Sequence, residues 1–368
     1  STHCISSAAS DVYKRQDFAT APFVTDAIRK RCENEVLGYT GKPDSYYNAI
    51  INWVKQRYDL IVTKEVINFV PGIVPGIGMA MNCFTQKGDK VMIQPPVYHP
   101  FAWVTTRNER TLVINPLRWE NGMYRMDLDA FREQIKGCKL FILCNPHNPG
   151  GVVWTEAELR AIADICYDEK VLVFSDEIHA DLTLPPHTHR PFATVSEKAR
   201  MNSVTFMSPS KAFNMPGLSA SHALIFNEDL RKRFRIYMDA GELDMGHVFA
   251  FLSVEAAYSH GTEWLDQCLA YIQGNIDFVD EFLKKHAPKI KAIRPEASYL
   301  VWLDCRELEL SQKDLNEFFV DKAHLALNDG EMFGKEGIGF MRLNVASPRC
   351  IIEKAMKQLA DAYQLYIK

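Results

Sequence analysis

Strand-length apolar runs alternating with helix-length stretches limit the folds open to this chain. KVMIQ (90–94), KLFILCNP (139–146), VLVFSDE (171–177) and SVTFMS (203–208) are short and rich in apolar residues, the pattern of strands covered on both faces. VINFV (66–70) and TLVINP (111–116) extend the series. Helical stretches lie between them: PGIGMAMNCFT (75–85), which Pro75 can open, DLDAFREQI (127–135), and TEAELRAIADICYDE (155–169), with Thr155 as N-cap. This alternation predicts an α/β fold with a mostly parallel, doubly wound sheet.

Two amphipathic helices, 22–36 and 45–58, precede the sheet, separated by the turn-rich GYTGKPDS. After about residue 228 helices dominate, at 228–239, 245–259 and 263–286. The short strands SYLVWLD and FMRLNVA and a last helix, 349–365, then suggest a smaller α+β lobe. The expected division is therefore 17–60, N-terminal helices contributing to the small domain and a dimer contact, 61–260, the large domain, and 261–368, the small α+β domain. Residues 1–16, STHCISSAASDVYKRQ, lack an apolar period and read as a non-native or disordered segment.

Charge and cysteine usage exclude several function classes. The 42 Lys+Arg balance 46 Asp+Glu, for a net charge of −4 without a basic block, which argues against nucleic acid or an anionic membrane as the main partner. No apolar run approaches the ~20 residues of a membrane helix. Nine cysteines without a Cys-x-x-Cys pair point to a reducing cytoplasm rather than a disulfide framework or a zinc site.

Ligands in open α/β sheets bind beyond the carboxyl ends of the strands, so the residues after each strand carry the functional reading. VINFV leads into Pro71-Gly72-Ile73-Val74, whose small residues let backbone N–H groups and a helix N-terminus meet a phosphate. KVMIQ is followed by Tyr98, an aromatic that can stack on a flat ring. KLFILC leads to Asn148, and VLVF to Asp176 with His179 three residues on. SVTFM leads to Ser208 and Lys211, an amine set among apolar residues in FMSPSKAFNMPG. Taken singly, these are a turn, a rim aromatic, a helix cap and a snorkelling lysine. Together they describe a cradle for a phosphorylated pyridine aldehyde. Lysine takes the aldehyde carbon, aspartate pairs the ring N–H⁺, asparagine donates to the ring hydroxyl and the nest holds the phosphate.

From residue 17 onward the chain resembles the fold-type I, class I/II aminotransferase superfamily, and within it the MalY/PatB-type cystathionine β-lyases. The resemblance rests on DFATAPFVTDAI, GYTG, FVPGIVPGI, GDKVMIQPPVYHPF, CNPHNPGGVVW, SDEIHADL, SPSKAFNMPGLSAS and FMRLNVASPR. It implies pyridoxal 5'-phosphate as cofactor, Lys211 as Schiff-base lysine and Cα base, and Asp176 at the pyridinium nitrogen. It further implies Asn148 at the ring hydroxyl with His179 nearby, Tyr98 stacked on the ring, and Ile73, Val74 and Ser208 on the phosphate. Arg342 would clamp the substrate carboxylate, and in a homodimer Tyr39 would reach the neighbouring subunit's phosphate. Ser219 stands where many aminotransferases carry an arginine, as in the lyase branch. The lyases also carry a further segment ahead of DFAT.

The implied activity is α,β-elimination of cystathionine or a related cysteine thioether. The residues themselves leave open an aminotransferase of the same fold and a pyridoxal-phosphate-binding regulatory protein. A nucleotide-binding dehydrogenase would need a G-x-G-x-x-G loop, which PGIVPGIG does not supply.

Overall fold

The computed structural model describes residues 17–367, so the expectation for 1–16 falls outside the described residues. In chain order the strands are β1 (Ile67–Val70), β2 (Lys90–Ile93), β3 (Thr111–Ile114), β4 (Arg118–Glu120), β5 (Met123–Arg125), β6 (Cys138–Cys144), β7 (Leu172–Asp176), β8 (Ser203–Met207) and β9 (Ser221–Leu224). Seven of them form one sheet in the order β1-β9-β8-β7-β6-β2-β3, and β4 pairs with β5 as a separate hairpin. Pairing is parallel from β3 through β2, β6 and β7 to β8. Strand β9 runs against both its neighbours. All six other strands therefore point the same way, and their carboxyl ends share one edge.

Burial explains why these segments are strands. Every residue of β1 and β8 is buried, as are Phe141, Ile142, Val173, Phe174, Val204 and Phe206. Each such side chain contributes on the order of 2 kcal/mol of transfer free energy. Strand β9 was not evident from sequence. It is the short Ser-His-Ala-Leu, and only its place between β1 and β8 makes it a strand.

Helix starts follow local chemistry. Thr155 and Glu158 form a reciprocal capping box at the helix Glu156–Asp168, and the Asp127 side chain caps Leu128–Gln134. The first sheet-covering helix runs Ile73–Phe84, not from Pro75. Pro75 sits in its first turn, where a missing N–H costs nothing, and Gly72 (φ 139°) provides the entry that an L-residue would strain. The helix expected over 22–36 stops at Cys32, and most of residues 33–43 are exposed and irregular.

A second, antiparallel sheet is built from β10 (Lys291–Ile293), β11 (Leu300–Asp304), β12 (Asn328–Asp329) and β13 (Phe340–Asn344), in the order β10-β11-β13-β12. The helices Thr262–His286 and Arg349–Tyr366 pack together nearby. The N-terminal helices Pro22–Cys32 and Asp44–Tyr58 lie on the helix Val248–His260, with Trp53 stacked on Tyr258 (ring centroids 4.9 Å apart). The largest apolar cluster joins all these parts: it runs from Trp53 through Phe213 and Phe251 to Leu303 and Met356. Among the described residues no helix is long and apolar enough to cross a membrane.

Candidate active site

Five strand exits of the large sheet meet at one cavity of about 220 Å³. Its wall includes Gly72, Ile73 and Val74 after β1, Tyr98 after β2, Asn148 after β6, Asp176 and His179 at and after β7, and Lys211 after β8. The second sheet adds Leu300 and Arg342, with Tyr299 just ahead of β11. Tyr39 is 96% exposed and is not on the wall of this cavity.

The β1 exit has the features of an anion site. The helix Ile73–Phe84 begins at the cavity, and Gly72 offers no side-chain cap for its first N–H groups. A Cβ on Gly72 would come within 3.2 Å of the Pro75 ring. Tyr98, half-buried, is braced edge-on by Phe101 at 5.8 Å.

Asp176 ends β7 and is 4% exposed. Its side chain accepts from Ile178 N at 3.1 Å. Burial pushes its carboxyl up to about 7; the Glu177 charge adds to this, while the Ile178 amide and the Lys211 charge oppose it. A buried carboxyl so placed is suited to a cationic partner. Burial, then the charges of Lys211 and Arg342, drives the His179 imidazole down to about 3, so it is neutral at ordinary pH. Its ring stands edge-on to Tyr299 at 6.4 Å.

Lys211 lies on the 208–220 connection from β8 to β9 and is half-buried. Ser208 shapes that connection: its Oγ donates to the Ala220 carbonyl (2.8 Å), accepts from Ser210 N (3.1 Å) and lies 2.9 Å from Ser210 Oγ. The hydroxyl proton is thereby used inside the loop. Ser210, rather than Ser208, lines the cavity, together with Ser219.

Arg342 comes from the middle of β13 and is 4% exposed. Nη1 donates to Asn148 Oδ1 at 2.8 Å and Nη2 to Asn328 Oδ1 at 2.6 Å, while the guanidinium lies 4.6 Å from the Phe333 ring centroid. Burial brings its pKa down to about 10, with Tyr98 and Tyr299 acting against that, so it remains a cation. Because Asn148 Oδ1 is engaged by Arg342, its Nδ2 is the end left to donate.

Sequence reasoning missed Asn328, Phe333, Tyr299 and Cys144. Cys144 is the last residue of β6, opposite Asp176 in register, and its sulfur accepts from Asn148 N at 3.3 Å. A strand-end position was its available signal. Asn328 pairs with Arg342 across β12 and β13, a pairing two residues long and invisible as a periodic pattern.

Known proteins share this chain's sequence pattern and fold. Residues 9–359 match the family described as aminotransferase class I and II. The chain is 37% identical to cystathionine beta-lyase PatB of Bacillus subtilis, over 94% of this chain and 90% of that protein. Among solved structures it is similar to cystalysin from Treponema denticola, which contains a pyridoxal 5'-phosphate cofactor (TM-score 0.93, 32% identity, 98% of this chain and 94% of the other). It is likewise similar to the PLP-bound C–S lyase from Staphylococcus hominis (TM-score 0.89, 33% identity, 95% and 90%). The chain belongs to the class I and II aminotransferase family.

Proposed function

We propose that this chain is a pyridoxal-phosphate-dependent carbon–sulfur β-lyase. It cleaves cystathionine or related cysteine thioethers by α,β-elimination into a thiol, pyruvate and ammonia. The carrying observation is the convergence of Lys211, Asp176, Asn148 and Arg342 on one cavity, in a chain similar to a cystathionine β-lyase over most of its length.

The cavity fits the cofactor at several points. Asp176 is a buried carboxyl suited to a cation, which a protonated ring nitrogen supplies. The uncapped helix start at Ile73 and Val74, with Ser210 beside it, suits a phosphate. Tyr98 offers a flat face, and Ser208 holds the lysine loop in shape. Bound there, pyridoxal phosphate supplies an electron sink for the charge left on the substrate Cα.

The protein's own groups do the rest. Arg342 receives the substrate α-carboxylate in its planar fork. Asn148 would join substrate and cofactor binding, since its Oδ1 is engaged by Arg342 and its Nδ2 would donate to the ring hydroxyl. Neutral His179 adds no competing charge. Lys211 Nζ takes the Cα proton. The Cβ–S electron pair leaves with sulfur, which is protonated to the thiol, and one water converts the three-carbon product to pyruvate and ammonia.

Tyr39, Val36 and Leu37 are 96%, 71% and 64% exposed on the irregular stretch after the first helix. This supports a homodimer in which Tyr39 reaches the neighbouring subunit's phosphate. The cysteines among the described residues are free, in keeping with a cytoplasmic setting. The test is to supply the loaded protein with cystathionine and no keto acid: thiol and pyruvate should appear in equal amounts. Amino transfer to an added keto acid without pyruvate release would instead make it an aminotransferase.

A further inference from the structure

The SDEIHADL segment carries two acids that the mechanism leaves unused, Glu177 and Asp181. Asp176, Ile178 and His179 line the cavity, whereas Glu177 and Asp181 turn away from it into buried polar contacts. Glu177 is 1% exposed, and its carboxylate gathers groups from several segments. Oε1 accepts from Ser175 Oγ on β7 (2.8 Å), Phe192 N (2.8 Å) and, more weakly, Asn145 Nδ2 (3.5 Å). Oε2 lies 2.7 Å from His189 Nε2. Tyr58 stands edge-on to His189 at 5.4 Å and its hydroxyl donates to Asp181, which also accepts from Trp53 Nε1 at 3.0 Å.

Burying a carboxylate is unfavourable unless it is well hydrogen-bonded, so the choice of partners is informative. Asn145 opens the loop that presents Asn148, and its backbone N–H bonds the Asp176 carbonyl at 2.9 Å. Ser175 immediately precedes Asp176. One buried carboxylate thus holds the back of the Asp176 segment firmly through Ser175 and touches the start of the Asn148 loop at Asn145, whose Nδ2 donates mainly to the Arg190 carbonyl at 3.1 Å. We propose that Glu177, seated on His189, is a positioning residue that fixes Asp176 and Asn148 against the cofactor ring. The proposal rests on the assignment of those two residues to the ring.

The test uses Glu177→Gln, which keeps the side chain's size and one acceptor but loses the charge that binds His189. Three quantities are read: the dissociation constant of pyridoxal phosphate from the full chain, the visible circular dichroism per bound cofactor, and the melting temperature of the cofactor-free protein. Loss of a charge-assisted contact should weaken cofactor binding about tenfold and alter the visible dichroism. A purely structural Glu177 would lower the melting temperature and leave the dichroism of bound cofactor unchanged, which would overturn the proposal. If Glu177→Gln does not fold, Ser175→Ala removes one donor to Oε1. It should shift both cofactor signals in the same direction, and unchanged signals would again overturn it. Asp176→Asn separates the two levels. If it changes the signals and Glu177→Gln does not, only the positioning role fails; if Asp176→Asn changes neither, the ring assignment fails and takes the proposal with it.

Discussion

Lys211 and Arg342 both stand on the cavity wall, and the fold places them differently. Lys211 is half-buried on a connection beyond a strand end. Arg342 sits mid-strand, fixed by Asn148, Asn328 and the Phe333 ring. In the proposed mechanism Lys211 moves a proton and Arg342 orients a carboxylate, and an orienting group gains from being fixed beforehand.

Substitution at either cation tests this difference. Lys211→Ala should cost the most, at least about a thousandfold in turnover, with folding intact; a variant that keeps substantial lyase activity would remove Lys211 from the chemistry. Asp176 gives the next effect, in the cofactor-free protein. Its folded carboxyl binds a proton more tightly than the ordinary value near 3.8, up to about 7. The resulting stabilisation is complete below the ordinary value and disappears as pH rises through about 7. Asp176→Asn should therefore raise cofactor-free stability near pH 8 by on the order of a few kcal/mol and change little near pH 4. Denaturant titrations at the two pH values check this.

On the fixed side, Arg342→Lys keeps the charge and loses the fork, so KM for the amino acid should rise about tenfold or more while kcat falls less. Asn328→Ala should act in the same direction, by roughly tenfold at most; a pure kcat effect would mean that Asn328 does not serve substrate binding. The smallest change belongs to Ser208→Ala. Its hydroxyl is engaged by Ala220 and Ser210, so stability should fall by about 1 kcal/mol with cofactor affinity changed only modestly. A large loss of affinity would return Ser208 to the phosphate.

The same contrast explains what could be read from the sequence. Strand exits in a parallel sheet are short-range features: an apolar run ends, and the next few residues face the ligand. Tyr98, Asn148, Asp176 and Lys211 were legible for that reason, and the structure puts all four on one wall. Arg342 lies inside an antiparallel strand whose burial pattern marks every residue as core, so family resemblance, not residue pattern, pointed to it. Its supports Asn328 and Phe333 lie on segments with short or irregular structure, and tertiary packing alone gives them their role. The β9 strand was hidden for a related reason, since four residues with a serine and a histidine carry no period until neighbours pair with them. Ser208 could be placed in the right loop, but the direction of its hydroxyl depends on a carbonyl twelve residues away.

Whether Lys211 carries the cofactor is read by loading the purified protein with pyridoxal phosphate, reducing it with borohydride and mapping the modified peptide by mass spectrometry. A pyridoxyl group should appear on Lys211, in the peptide containing SPSKAFNMPG, and no such label after Lys211→Ala. A label on another lysine, or none on loaded protein, would contradict that role for Lys211.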